Sequence, residues 1–261
     1  MNEVNKTLYI PLYGKAYVSR QNIILNDATA EKIWAAESFP LKRRSKSKWL
    51  TYNMAMRARV FDDWTEEMLK KNSNAVVIHI GCGLDSRCLR VKQKYGKWAD
   101  CDLREVITVR KQYYSKTESY EMIPLDASNP EETGKLPEGK TAIVIMEGLC
   151  MYLTNDQVHD LLRALEDKYE SLHVLMDVYT DFGAKASKIK NPISEVGVSE
   201  VYGIDNIEDI ISDLKISLKA EHSFTPEKLI NELPASDQKV FRLLYTGSLY
   251  GKIYRLFELE A

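Results

Sequence analysis

The chain has 261 residues, short for two average domains and long enough to bury a sizeable core, so one α/β domain with a helical extension is the economical expectation. Its 36 basic and 38 acidic residues leave a formal net charge of -2, which gives no reason to expect a nucleic-acid partner. The N-terminal MNEVNKTLYIPLYGKAY lacks a charged-then-apolar leader pattern, and no apolar run approaches the roughly 18 residues needed to span a bilayer; a soluble, cytoplasmic protein without a membrane partner is expected.

In chain order, DATAEKIWAAES predicts a helix with Asp27 at its N-cap. The basic run Lys42–Lys48 reads as a solvated loop before the next helix, with an anionic-substrate or lid role as the alternative. That helix, KWLTYNMAMRARVFDDWTEEMLKK, carries Leu50, Met54, Val60, Phe61, Trp64 and Met68 at mostly three- and four-residue steps. Strand candidates then follow in series at Ala75–Ile80, Lys97–Cys101, Tyr120–Pro124, Thr141–Met146 and His173–Val178, with helical stretches near Arg104–Lys116 and Gln157–Tyr169. Such alternation implies a parallel sheet with right-handed crossovers. The tail differs: Ile216–Phe224 and Tyr250–Glu258 read as strands around a short helix near Ser236–Tyr245. A closing strand pair after five βα steps predicts a Rossmann-like α/β fold, a seven-stranded, mostly parallel sheet with an antiparallel last strand. With no repeat or Pro/Gly-rich linker, residues 1–261 are expected to form one domain, with 1–72 a helical cap over the strand ends and 73–261 the α/β core.

The chemistry of an open α/β sheet lies beyond the carboxyl ends of its strands. After Val76–Ile80 the chain breaks into Gly81-Cys82-Gly83, and the next apolar segment ends in acid at Asp100 or Asp102. Glycine lets the backbone approach a ligand, and a carboxylate about 20 residues on is placed for ribose hydroxyls. Asp126 follows the third strand and Glu147 the fourth. Glu147 directly after TAIVIM is costly to bury unpaired, which favours a ligand contact. Asp85 reads either as another such group or as a cap for the following helix.

The third glycine of the dinucleotide fingerprint is absent, with Ser86 and Arg87 in that neighbourhood, and this disfavours an NAD-linked oxidoreductase, the alternative enzyme reading. S-adenosylmethionine, an adenosine without phosphates, suits the list better. It needs an open glycine turn, a carboxylate for the ribose diol, an Asp near the adenine amine and groups for its α-ammonium and carboxylate. The four cysteines, Cys82, Cys88, Cys101 and Cys150, sit in or beside apolar strands and form no CxxC pair or metal-ligand spacing with the four histidines. They read as reduced core residues, with no metal site, and His159 reads as a surface or packing histidine.

Four ordered motifs, VVIHIGCGLDSRCLRV, WADCDLREVITVRK, IPLDAS and AIVIMEGLCMYL, make the chain resemble the leucine carboxyl methyltransferase family, including its bacterial branch related to tetracenomycin-type polyketide O-methyltransferases. The resemblance runs from about Leu8 to Val178. It implies a class I S-adenosylmethionine-dependent methyltransferase in which Gly81 and Gly83 line the methionine side, and Asp102 with Asp100 beside it holds the ribose. Asp126 with Ala127 would meet the adenine and Glu147 would hold the cofactor's amino group. Tyr152, in the same motif as Glu147, would sit near the transferred methyl as the catalytic candidate. The segment LYGKAYVSRQNIILND resembles the family's N-terminal piece, in which Lys15 matches a basic residue pairing with the cofactor's carboxylate. RARVFDD resembles its arginine motif. Arg57 and Arg59 lie about 200° apart on a helix, so one of the two faces the pocket, and the match favours Arg59.

Transfer from a sulfonium is an in-line displacement whose main requirements are near-attack geometry and exclusion of water. A carboxylate acceptor is already ionised at neutral pH, whereas a hydroxyl gains from a general base; no nucleophile–histidine–acid constellation is evident, which favours a carboxylate. The expected activity is O-methyl transfer to a carboxylate or hydroxyl of a small molecule, in polyketide or other secondary metabolism, with S-adenosylhomocysteine as product. A cofactor-binding module without turnover is the remaining alternative. Trp49, Tyr52 and the segment Thr180–Tyr202 are expected to shape the acceptor pocket.

Overall fold

The computed structural model describes residues 4–187 and 200–261. Helices α1 (Tyr9–Ser19), α2 (Ala28–Glu37) and α3 (Lys48–Lys71) precede the sheet. There follow β1 (Val76–Ile80), α4 (Arg87–Arg90), β2 (Lys97–Asp102), α5 (Arg104–Arg110), β3 (Tyr120–Pro124), β4 (Thr141–Met146), α6 (Asn155–Lys168), β5 (Ser171–Tyr179) and α7 (Asp181–Ser187). The tail holds α8 (Glu208–Ile211), β6 (Ser217–His222), α9 (Glu227–Ile230), α10 (Ala235–Tyr245), α11 (Ser248–Gly251) and β7 (Tyr254–Glu260).

The seven strands lie in the order β3-β2-β1-β4-β5-β7-β6. The first five run parallel, and β7 inserts antiparallel between β5 and β6, as the strand pair at the tail predicted. Strand order reverses between β1 and β4, the place where a doubly wound sheet opens a crevice for its ligand. Helices cover both faces, so β1 is buried throughout and β4 nearly so; this is why both read as unbroken apolar runs rather than alternating ones. The edge strand β6 alternates half-buried and exposed residues.

Capping matches the local chemistry. The Asp27 carboxylate accepts from the Ala30 N–H at 2.8 Å, and Thr154 and Gln157 form a reciprocal capping box at the start of α6. Lys42, Arg43, Arg44 and Lys46 are exposed in the turn before α3, as a solvated loop should be. All four cysteines are buried free thiols.

Two differences from the sequence reading concern the ends. Helical structure begins at α1, upstream of the predicted first helix; Pro11 and Gly14 weaken its intrinsic propensity, and it is held by packing of Tyr9, Leu12 and Ala16 into a core shared with Phe61 and Trp64 of α3. The last strand begins at Tyr254 rather than Tyr250, because Ser248–Gly251 forms a helical turn. The N-terminal region also shares a core with the tail. Ile24, Tyr52 and Met56 pack with Leu229, Ile230 and Phe241 of the tail in a core of their own. Among the described residues no helix is long and apolar enough to cross a membrane.

Candidate active site

A cavity of about 440 Å³ opens at the carboxyl ends of β1, β2 and β4, within the size range of small-molecule and cofactor sites. Its floor is the glycine turn. Gly81 and Gly83 adopt φ of +72° and +52°, the left-handed region that side chains rarely tolerate. A Cβ at Gly81 would stand 3.2 Å from Leu149, and one at Gly83 would stand 3.3 Å from Leu8. The turn is pinned from both sides: the Gly81 N–H donates to the Cys101 carbonyl at 2.8 Å, and the Arg110 guanidinium donates to the Gly83 carbonyl at 3.0 Å.

Asp102, at the end of β2, lines this cavity. Its two carboxylate oxygens accept from the Gly83 N–H at 2.7 Å and the Leu103 N–H at 2.8 Å. Burial raises its pKa to about 6, against the lowering effect of those two N–H groups. Asp100, two residues earlier, has a different fate. It is fully buried and outside the cavity lining, ion-paired with Arg110, and accepts from Tyr120 Oη at 2.8 Å and Trp98 Nε1 at 2.9 Å. The expectation that it stands beside the ribose is therefore corrected: its lone pairs are committed to a buried network that secures α5, and thereby the glycine turn, to the sheet.

Asp126 and Ala127 follow β3 and line the same cavity. Asp126 Oδ1 accepts from both the backbone N–H and the hydroxyl of Ser128, at 2.9 and 2.7 Å, which fixes the loop. At the end of β4, Glu147 faces the cavity between two guanidinium groups. Arg57 Nε donates to its Oε1 at 3.0 Å, and Arg87 contacts Oε2. Burial alone would raise its pKa, yet Arg57, Arg87 and Lys15 together lower it to about 2. Lys15 also lines the cavity, with Nζ 2.5 Å from Asp85 Oδ2. Asp85 lines the cavity, and its other oxygen accepts from the Arg87 N–H at 2.7 Å at the start of α4, whose N-cap is Ser86.

The arginine motif resolves against the expectation. Arg59 points away from the cavity, donating to Asp63 Oδ1 at 2.7 Å and to the Ile24 carbonyl at 2.7 Å, with 37% of its side chain exposed. Arg57 is the inward member of the pair. Besides Glu147 it reaches Asp177 Oδ2 at 3.2 Å and Tyr254 Oη at 2.8 Å. Trp49 and Tyr52 are likewise absent from the lining. Tyr52 is buried against Phe241 and bonds Asp237 at 2.9 Å, with Trp49 packed on its edge, while Leu50, Asn53 and Met54 take the cavity face of α3. Residues 188–199 of the expected lid lie outside the described residues. Of its described part, none of Thr180–Ser187 or Glu200–Tyr202 lines the cavity, which is bounded there by Tyr179.

Tyr152 lines the cavity, hydrogen-bonded to Thr7 and with its pKa raised by burial; it is a neutral hydroxyl at neutral pH. His79, inside β1, also lines the cavity beside the turn. Burial and the Arg87 charge lower its pKa, its Nε2 is 3.1 Å from Arg87, and its Nδ1 lies 3.5 Å from Asp100 without hydrogen-bond geometry. His159 is at the surface with Asp160 and Asp213. The sequence reading missed Arg87, Asp177 and Tyr254. A signal existed for two of them: Asp177 interrupts the apolar run of β5 and Arg87 follows the glycine turn, and a charge in such places must find a partner.

A family model described as leucine carboxyl methyltransferase matches residues 13–166. The tetracenomycin polyketide synthesis O-methyltransferase of Streptomyces glaucescens is 29% identical over 206 residues, 78% of this chain and 76% of that protein. An S-adenosyl-L-methionine-dependent methyltransferase of Gibberella zeae is 31% identical over 193 residues, 67% of this chain and 65% of that protein. Among solved structures, one described as a putative methyltransferase from Thermobifida fusca superposes with a TM-score of 0.59 at 14% identity, covering 95% of this chain and 93% of its own; at that identity the likeness concerns the fold alone.

Proposed function

The chain belongs to the leucine carboxyl methyltransferase family, and from that premise we propose that it moves the methyl group of S-adenosylmethionine to an oxygen of a small-molecule acceptor. It is an S-adenosylmethionine-dependent methyltransferase. The observation that carries the finer reading is Glu147, held ionised between Arg57 and Arg87 on the same cavity as the glycine turn and Asp102. The donor set fits the cofactor. Glu147 offers a carboxylate to the α-ammonium, Lys15 and Arg57 offer charge to the α-carboxylate, and Gly81 and Gly83 leave open the space a Cβ would fill. Asp102 offers acceptor lone pairs to the ribose diol, and Asp126 with Ala127 borders the adenine position.

When bound, the cofactor supplies an electrophilic methyl on a positively charged sulfur. The chemistry it would supply is in-line displacement at that methyl: the acceptor oxygen's lone pair would make the C–O bond, the pair of the broken C–S bond would stay on sulfur, and a hydroxyl acceptor would also release its proton. The protein's work is to hold the two partners at near-attack distance and keep water out. Tyr152, a neutral phenol at neutral pH, brings a hydroxyl and no charge to this wall. A carboxylate, ionised at neutral pH without a general base, or a hydroxyl acidic enough to ionise readily, suits this wall.

Calorimetric titration with S-adenosylhomocysteine, beside NADH and repeated on Glu147→Gln, tests this reading. Micromolar binding of the homocysteine compound alone, weakened at least tenfold in the variant, is the expected result. Binding of NADH instead, or binding indifferent to the variant, would overturn it.

A further inference from the structure

Helix α3 presents Leu50, Asn53, Met54 and Arg57 to the cavity, the i, i+3, i+4, i+7 face of one helix. Leu50 and Met54 are apolar wall and Arg57 holds Glu147, which leaves Asn53 without a role in the cofactor site. It is 2% exposed. Its amide carries two N–H donors and two acceptor lone pairs. Tyr250 takes one of each: Asn53 Nδ2 donates to Tyr250 Oη at 2.8 Å, and that hydroxyl lies 3.1 Å from Asn53 Oδ1. Among the described residues the structure records no partner for the second N–H or the remaining lone pairs. A buried amide is expensive to leave half satisfied on an apolar face, and this one borders a ligand cavity.

The surroundings define what would satisfy it. Tyr250 comes from α11, 197 residues along the chain, and its ring is held edge-on by Tyr245 at 5.5 Å and Phe224 at 6.2 Å. Tyr179, Tyr245, Ile253 and Tyr254 continue this wall. Rings and aliphatic groups favour a flat apolar body, through offset or edge contacts. Among the lining residues, the lysine and arginine cations are Lys15 and Arg57, and the methyltransferase reading already assigns both to the cofactor's α-carboxylate. A phosphorylated acceptor would bring a multiple charge with no cation left to meet it.

We propose that Asn53 and Tyr250 together bind the oxygen-bearing group of the methyl acceptor, and that the acceptor is a ring compound with an apolar body, a hydroxyl or carboxyl group and no phosphate. The proposal deepens the methyltransferase reading and rests on it. The test is equilibrium dialysis of the full chain, saturated with S-adenosylhomocysteine, against naphthalene, 2-naphthol, 2-naphthoate and 2-naphthyl phosphate. At least one of 2-naphthol and 2-naphthoate is expected to bind roughly tenfold more tightly than naphthalene, the margin of one well-made hydrogen bond, with the phosphate no tighter than 2-naphthol. Tyr250→Phe, which removes one oxygen and keeps the ring, and Asn53→Leu should each erase that margin while the affinity for S-adenosylhomocysteine stays within twofold. No margin in the unaltered protein, a margin that survives Tyr250→Phe, or tightest binding of the phosphate would overturn the proposal. Failure of S-adenosylhomocysteine itself to bind would count against the methyltransferase reading instead; the probes titrated without it would still decide whether this pair reads an acceptor oxygen.

Discussion

The two walls of the cavity are built in opposite ways. The wall we assign to the cofactor is made of strand ends, the turns directly after them and the inward residues Lys15 of α1 and Arg57 of α3, and its charged groups are bound to one another: Lys15 to Asp85, Glu147 to Arg57 and Arg87, Asp102 to two backbone N–H groups. The facing wall is made of tyrosines and apolar residues from α3 and the tail, with Asn53 and Tyr250 as its polar spot. A pre-paired ionic wall holds its groups in place and suits a ligand that is the same in every turnover. An apolar wall with few polar groups selects by shape and by one or two hydrogen bonds, and is free to differ between relatives that share the cofactor.

The largest expected effect breaks the ionic wall outright. Glu147→Ala leaves Arg57 and Arg87 buried without their shared carboxylate, and removing one partner of a buried pair costs about 3–5 kcal/mol. Denaturant unfolding should show that loss, together with loss of cofactor binding; an unchanged midpoint would mean that the network is dispensable. Next comes the turn. Gly81→Ala forces a side chain into φ of +72° and against Leu149, which should cost about 1–2 kcal/mol and weaken S-adenosylhomocysteine binding, with no matching loss in Gly134→Ala, where a Cβ meets nothing within 4 Å.

A subtler effect is pH dependence. Because Asp102 titrates near 6 in the folded chain against an ordinary 3.8, the unfolded chain ionises first as pH rises. Its contribution to the stability of the ligand-free protein therefore falls between about pH 4 and 6 and is level above that. Ribose hydroxyls donate to the ionised form, so affinity for S-adenosylhomocysteine should climb as pH rises through about 6. Asp102→Asn should flatten that part of the profile; a profile unchanged by the substitution would dissociate Asp102 from the ribose. The smallest effect sharpens the choice within the arginine motif. Arg59→Ala removes a part-exposed pair with Asp63 and should cost about 1 kcal/mol or less without changing cofactor affinity. Arg57→Ala should lower that affinity at least tenfold.

Much of the cofactor wall is legible in the amino-acid sequence because its signals are local. A β-branched run ending in Gly81-Cys82-Gly83, and acids closing the next three strands, place Asp102, Asp126 and Glu147 together once the sheet is known to be parallel. The acceptor wall carries no such signal. Asn53 sits in an ordinary amphipathic helix and Tyr250 in a stretch that reads as strand; only the insertion of β7 beside β5 and the turn at α11 bring them within 2.8 Å.

Sequence by itself therefore determined the sheet and its closing antiparallel strand, the glycine turn and the identity of the strand-end acids, because hydrophobic period and turn chemistry act over a few residues. Tertiary structure decided between near neighbours of the same type. Asp100 and Asp102 are two residues apart on one strand, and the arrival of Arg110 from α5 commits the first to the core and leaves the second at the cavity. Arg57 and Arg59 share one helix, and the packing of α3 against β4 and β7 turns the first onto Glu147 and the second onto the surface. The free energy of a charged side chain depends on which opposite charge the fold brings within a few ångströms, and for Asp100 and Arg57 the partners come from 10 to 197 residues away.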